Sequence, residues 1–189
     1  MERVATNYPD VIRVGGGIEL RPLQPAHASE MYALVERNRV RLRAWLPWLT
    51  PDYSASDALR FATVSEHDNL NRTSLTSTIW FDGRICGAIG LHRIAFHNRS
   101  TSIGYWLAEE FEGRGIMTAA CRAMVTHGFT AFNLHRIEIR CAAGNHRSSA
   151  IPTRLGFTEE GVLRDAEWLY DHWVDLRVFS MLEQNWVAR

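Results

Sequence analysis

From Val11 the chain alternates apolar and polar residues in short runs. VIRV, three glycines and IELRPL read as two extended pieces around a flexible turn, ended by Pro22 and Pro25. The period then lengthens. Ala28, Met31 and Val35, with Leu34 beside them, recur at helical spacing between Ala26 and Asn38, and ERNRVRLRAW continues with an arginine at every second position, which predicts a bent helical pair. SASDALRFATVSEHDN sets a serine cap ahead of Ala58, Phe61, Ala62 and Ser65, a second amphipathic helix over Ser54 to Asn69. Period two returns in SLTSTIWF and RICGAIGLHRI, which flank Asp82-Gly83, a pair that tolerates the positive φ angles of a tight hairpin. TSIGYWLA, from Thr101 to Ala108, adds a third strand. Met117, Ala120, Met124 and Phe129 then form a buried stripe on the helix GIMTAACRAMVTHGFTAF. HRIEIRCAA is the next strand, SSAIPTRLGF is a helix stopped at Gly156, and TEEGVLRDAEWL and HWVDLRVFSML are strands turning at Tyr170-Asp171. This order predicts an α/β (α+β) fold with a mixed central sheet flanked by helices. No linker, repeat or low-complexity tract divides it, so residues 1–189 read as one domain.

Composition narrows the function classes. Lys+Arg and Asp+Glu are equal at 21 each, which removes any global electrostatic case for nucleic acid or an anionic membrane surface. Cys86, Cys121 and Cys141 lie far apart without a C-x-x-C pair, so neither a disulfide framework nor a thiolate zinc site is expected, and each reads as apolar filler rather than an acylated nucleophile. None of the eight histidines forms H-E-x-x-H or pairs with cysteine at ligand spacing, so no metal is expected. MERVATNYPD lacks the apolar centre of a signal peptide, and no stretch approaches the ~20 apolar residues of a membrane span; a soluble cytoplasmic protein is expected.

The segment EEFEGRGIMTAA, Glu109 to Ala120, is the first candidate for chemistry. Gly113 and Gly115 allow a sharp turn, and a helix start supplies unpaired N–H groups, so the amides of Gly113, Arg114, Gly115, Ile116, Met117 and Thr118 suit a phosphate. It is not a P-loop, and Thr118 stands where G-x-G-x-x-G requires its third glycine; a plain helix cap is the alternative. Glu110 and Glu112 oppose an anion, which leaves the amides and Arg114 to hold it.

Following G-Y-W-L, the run E-G-R-G-I-M-T-A resembles the acetyl-CoA loop of the GNAT superfamily of N-acetyltransferases. IGYWLAEEFEGRGIMTAA, HRIEIRCAAGNHRSSAIPTRLGF and EEGVLRDAEWLYDHWVDLRVFSML together resemble its RimJ/RimL-type group over nearly the whole chain, RimL-like members most of all. ERNRVRLRAWLPWL is similar to the aromatic substrate-side helices of that group. The resemblance implies a GNAT-like acyl-CoA N-acyltransferase fold and acetyl-CoA as co-substrate. It implies main-chain contacts from Tyr105, Trp106 and Leu107 to pantetheine, Asn145 on the pantetheine arm, Ser148 near the thioester sulfur and Glu167 as general base. The implied acceptor is a protein N-terminal α-amine, of ribosomal proteins among others, and homodimers are frequent. Two positions depart from the pattern: Glu112 replaces the usual Gln or Arg and is expected to point outward, and Met117 fills a position that is usually small.

The chemistry agrees with these roles. Amine attack builds negative charge on the thioester oxygen, which a fixed strand N–H stabilises. Ser148 can return a proton to the thiolate, a modest task for a thiol of pKa ~8.5. An α-amine of pKa ~8 also asks less of a base than lysine at ~10.4. The residues alone leave other readings open. Asn145 and Ser148 both suit a helix cap, and Pro152 lacks the N–H that would bond the Ser148 carbonyl. Glu167 reads either as a solvated strand residue or, amid Trp168, Leu169 and Tyr170, as a carboxylate of raised pKa. Trp45 and Trp48 are core anchors or, with Trp168 and Tyr170, the lining of an acceptor groove. Arg37, Arg39, Arg41 and Arg43 form a solvated face or a rim that attracts an acidic protein. A small amine acceptor (a polyamine, an antibiotic or an amino-acid conjugate) and a catalytically silent acyl-CoA sensor complete the alternatives.

Overall fold

The computed structural model describes residues 11–186, so the segment MERVATNYPD lies outside the described residues. Eight strands form one sheet: β1 (Ile12–Gly15), β2 (Ile18–Pro22), β3 (Leu75–Phe81), β4 (Arg84–Ala95), β5 (Ser100–Leu107), β6 (Arg136–Ala142), β7 (Thr158–Leu169) and β8 (His172–Leu182). Their spatial order is β1-β2-β3-β4-β5-β6-β8-β7. Neighbours are antiparallel except β5 and β6, which are parallel. Helices α1 (Ala28–Arg37), α2 (Arg39–Arg43), α3 (Ala55–Asn71), α4 (Ile116–Ala131) and α5 (His146–Arg154) complete the mixed fold expected from the sequence pattern.

Local chemistry accounts for the boundaries. Asp82 and Gly83 both have positive φ, 48° and 78°, as a two-residue hairpin turn requires. The Asp57 carboxylate accepts the Ser54 N–H at 3.0 Å at the start of α3. Gly156, with φ 79°, ends α5, where the Phe157 N–H reaches back to the Pro152 carbonyl at 3.0 Å. Asn38 separates α1 from α2, at the bend of the expected helical pair. Its buried amide donates to the Leu34 carbonyl at 2.9 Å and accepts the Glu109 N–H at 2.9 Å, fastening the bent pair to the segment before the glycine loop.

The expected α4 stripe of Met117, Ala120, Met124 and Phe129 is buried against the sheet, and all three cysteines are buried as filler. A second, smaller cluster of Val35, Leu42 and Leu49 packs with Leu46, Tyr53 and Trp106, seating the helical pair on β5. Among the described residues no helix is long and apolar enough to cross a membrane.

The parallel pair does not run to its end. β5 and β6 are in register from Ser100↔Arg136 to Ile103↔Ile139, and there the pairing stops. Beyond that point β5 stays with β4 through Leu107↔Gly87, while β6 stays with β8 through Ala142↔Leu176. The sheet therefore splays open between Gly104–Leu107 and Arg140–Ala142.

Candidate active site

A cleft of about 1100 Å³ opens at this splay, bounded by β5, the glycine loop, the first turn of α4, α5 and the end of α2. That is ample for a long ligand. Which main-chain groups face it follows from strand alternation. The Ala108 N–H bonds to the Cys86 carbonyl of β4 at 2.8 Å, so Ala108, Trp106 and Gly104 direct their amides and carbonyls to β4. Tyr105 and Leu107 direct theirs into the gap. Of the three residues expected to pair with pantetheine, Trp106 therefore contributes its side chain, and the other two contribute the unpaired donors and acceptors.

The glycine loop turns as its composition requires. Gly113 and Gly115 are left-handed, φ 74° and 76°, and Gly115 caps α4. The Ala119 N–H bonds to the Gly115 carbonyl at 3.0 Å, so the amides of Ile116, Met117 and Thr118 are the free donors of a helix start. Both glycines and all three residues line the cleft. Two expectations about side chains are corrected. Arg114, flanked by two left-handed glycines, is turned off the lining; its guanidinium lies 5.9 Å and 5.8 Å from the Phe81 and Phe111 ring centres. Glu112 does not point outward but lines the cleft, paired with Arg41 of α2 and Arg147 of α5. The cleft's cations are Arg41, Arg122, Arg147 and Arg154, against Glu109 and Glu112. Only Arg41 had a candidate role in the sequence; Arg122 lies further along α4, and Arg147 and Arg154 arrive from α5.

Asn145 is the α5 cap: its Oδ1 accepts the Ser148 N–H at 3.1 Å, while its side chain also lines the cleft. The Ser148 side chain is thereby free of the capping role. Its hydroxyl donates to the Tyr105 phenol oxygen at 3.2 Å, and that phenol donates to the Ser148 carbonyl at 3.0 Å. Pro152 explains the second bond, since it leaves that carbonyl without a helical donor. Burial pushes the Tyr105 phenol well above its ordinary pKa, so it stays a neutral donor. Burial likewise raises the Cys141 thiol, although a hydrogen bond with Ser148 opposes this, which agrees with an inert cysteine. The paired hydroxyls of Tyr105 and Ser148 were not legible in the sequence: the two residues are 43 apart.

The acceptor side is less closed. Trp45 lines the cleft, with its indole over Gly144 beside Asn145. Trp48 is half-exposed, packs on Tyr53 at 5.4 Å and is not part of the lining. Tyr170 donates to the Leu46 and Leu49 carbonyls at 2.5 Å and 3.1 Å, and Arg43 lies 4.3 Å above its ring. It is a tie between the β7–β8 turn and the loop that carries Trp45. Trp168 is exposed and meets Trp173 edge-on at 5.1 Å. Glu167 pairs with Val174, next to Asp175, whose carbonyl accepts the Ala143 N–H at 2.9 Å. Two strand spacings, about 10 Å, thus separate it from the end of β6. Glu167 is half-buried and outside the cleft lining proper, and desolvation raises its pKa above the ordinary carboxylate value. Among the described residues no group of three or more His, Cys, Asp or Glu could hold a metal ion.

A splayed parallel pair, a glycine loop opening a helix and a hydroxyl beside the free strand edge match what the resemblance to acyl-CoA-dependent N-acyltransferases implies. The chain belongs to the acetyltransferase (GNAT) domain family, which matches residues 18–158. Within it the protein is of the RimJ/RimL type, and acetyl-CoA is its co-substrate. It is 37% identical over 178 residues to the provisionally named ribosomal N-acetyltransferase YdaF of Bacillus subtilis, covering 92% of this chain and 96% of that protein. Its fold is similar to the RimL ribosomal L7/L12 alpha-N-protein acetyltransferase in complex with coenzyme A (TM-score 0.88, 26% identity, 92% and 98% of the two chains). It is also similar to the microcin C7 self-immunity acetyltransferase MccE in complex with acetyl-CoA and AMP (TM-score 0.87, 30% identity, 94% and 98%).

Proposed function

We propose that this N-acetyltransferase acts on the α-amine of a protein N-terminus, a ribosomal protein in particular, by direct transfer within a ternary complex. The observation that carries the reaction is the Ser148–Tyr105 hydroxyl pair at the free edge of β5. Acetyl-CoA supplies an acyl group activated as a thioester. The Tyr105 and Leu107 main chain orients the pantetheine arm and places an N–H against the thioester oxygen, while the amides from Gly113 to Thr118 and the cleft arginines hold the diphosphate. Glu167, of raised pKa, takes the amine proton through water, and the Ser148 hydroxyl passes a proton to the departing sulfur as it takes one from water. Trp45 lines the acceptor approach, and Tyr170 fixes the loop behind it. The acceptor class is supported by the names of YdaF and the RimL neighbour. Incubation with acetyl-CoA, stalk-protein N-terminal peptides, internal-lysine peptides and polyamines, followed by mass location of the acetyl group, tests it. Acetyl on the lysine side chain or the polyamine alone refutes it.

A second reading rests on the exposed Trp168–Trp173 pair beside Glu167 and on the AMP-bound neighbour: an amino-acid conjugate of a nucleotide as acceptor, its base held by aromatic rings. An aminoacyl-adenosine analogue in the same panel separates the two. We infer also a cytoplasmic homodimer. β7 is an edge strand with Val162 and Leu163 exposed, and sedimentation at micromolar concentration showing only monomer refutes the pairing.

A further inference from the structure

Glu112 is shared by two cations from opposite walls of the cleft. Arg41 comes from α2 on the acceptor side and pairs with Oε1; Arg147 comes from the first turn of α5 and pairs with Oε2. The carboxylate is largely enclosed, at 26% side-chain exposure, whereas Arg147 is 76% exposed and reaches in from solvent. Arg41 is committed twice, its other terminal nitrogen lying 3.5 Å from Glu109. Guanidinium forks donate to carboxylate and phosphate oxygens with the same geometry. The amides of the following loop face the same cleft, so Glu112 stands beside the place where a diphosphate needs these donors.

We infer that Glu112 sets the affinity for the co-substrate: an internal anion that competes with the diphosphate for Arg41 and Arg147 and so lowers the affinity for acetyl-CoA and for product CoA. This rests on the reading that the loop holds the diphosphate. Both terminal nitrogens of Arg41 face carboxylates, so a phosphate oxygen reaches them only by exchange, and Glu112 itself repels it. The arginines are thereby kept inside the cleft, assembled but not freely available. Weaker retention of both thioester and thiol favours turnover over tight binding.

The test is calorimetric titration of CoA and of acetyl-pantetheine, which lacks the diphosphate, into the wild-type protein, Glu112→Gln and Gly115→Leu. Glu112→Gln should bind CoA about tenfold tighter at low salt, with the gain shrinking as salt rises, and should bind acetyl-pantetheine as the wild type does. Unchanged or weaker CoA binding by Glu112→Gln, with CoA binding lost in Gly115→Leu, overturns the inference and leaves the loop assignment standing. Unchanged CoA binding in both variants overturns the loop assignment and the inference with it.

Discussion

Tyr105→Phe removes one oxygen and two hydrogen bonds, and its cost depends on a proline elsewhere. The phenol donates to the Ser148 carbonyl at 3.0 Å because Pro152, four residues on, has no N–H to offer. A carbonyl stripped of its donor in an enclosed site costs about 1–3 kcal/mol. For a domain of this length each kcal/mol moves Tm by about 2–4 °C, so Tyr105→Phe should lower Tm by about 4–8 °C for a loss near 2 kcal/mol. Pro152→Ala restores an N–H one helical turn beyond Ser148. In that background the same Tyr105→Phe change should cost about 1 kcal/mol or less, because the helix then satisfies the carbonyl itself. Urea unfolding of the four proteins yields the coupling energy directly, expected at about 1 kcal/mol. Equal cost of Tyr105→Phe in both backgrounds refutes the idea that the phenol replaces the missing helical donor. Turnover gives an independent reading: once Tyr105 is Phe, the Ser148 hydroxyl has lost its phenol partner, so adding Ser148→Ala should reduce kcat by less than it does in the wild type.

Glu167→Gln should lose the acidic limb of the kcat/KM profile, a limb that lies above the ordinary carboxylate value in the wild type because desolvation raises the pKa. The stability effect has a definite sign. A carboxyl with a raised folded pKa contributes stability that is fully present below its unfolded pKa and lost as the pH rises through the folded one, so Glu167→Gln should match the wild type in acid and exceed it in thermal melts near pH 8. A Cβ at Gly115 meets no atom within 4 Å, but Gly115→Leu must hold φ at 76°, so it should cost about 1–2 kcal/mol in urea unfolding and raise the Kd for CoA at least about tenfold. Tyr170→Phe deprives the Leu46 and Leu49 carbonyls of their donor and should raise the acceptor KM about three- to tenfold with acetyl-CoA KM unchanged; a change in acetyl-CoA KM alone argues against its role as a tie.

The elements were legible wherever the signal was local. Asp82-Gly83, the α4 stripe and the Gly156 stop each depend on a few neighbouring residues, and each lies where its pattern directs. The loop's left-handed turn into α4 was legible for the same reason. Side-chain direction within the loop was not, because it depends on partners far away in sequence. Glu112 turns inward to meet Arg41, 71 residues earlier, and Arg147, 35 later, whereas Arg114 finds the Phe81 and Phe111 rings. The Asn38 side-chain bonds and the Tyr105 phenol escaped notice on the same grounds. Each satisfies a main-chain group that only the folded sheet and helices bring within reach.

On the proposed reading of the cleft, the splay of β5 from β6 hands the pantetheine arm to peptide groups, which every residue possesses alike. Mutational drift along that edge can replace side chains without erasing the donors and acceptors that meet the arm, provided the strand keeps its course. The acceptor end is drawn instead from individual side chains on a short helix, a loop and a hairpin tip, where one codon change alters the surface presented. On the same reading the two halves of the cleft are unequal in tolerance: a changed side chain on the β5 edge leaves the acyl-donor contacts in place, whereas one at Trp45 or Tyr170 alters the acceptor end.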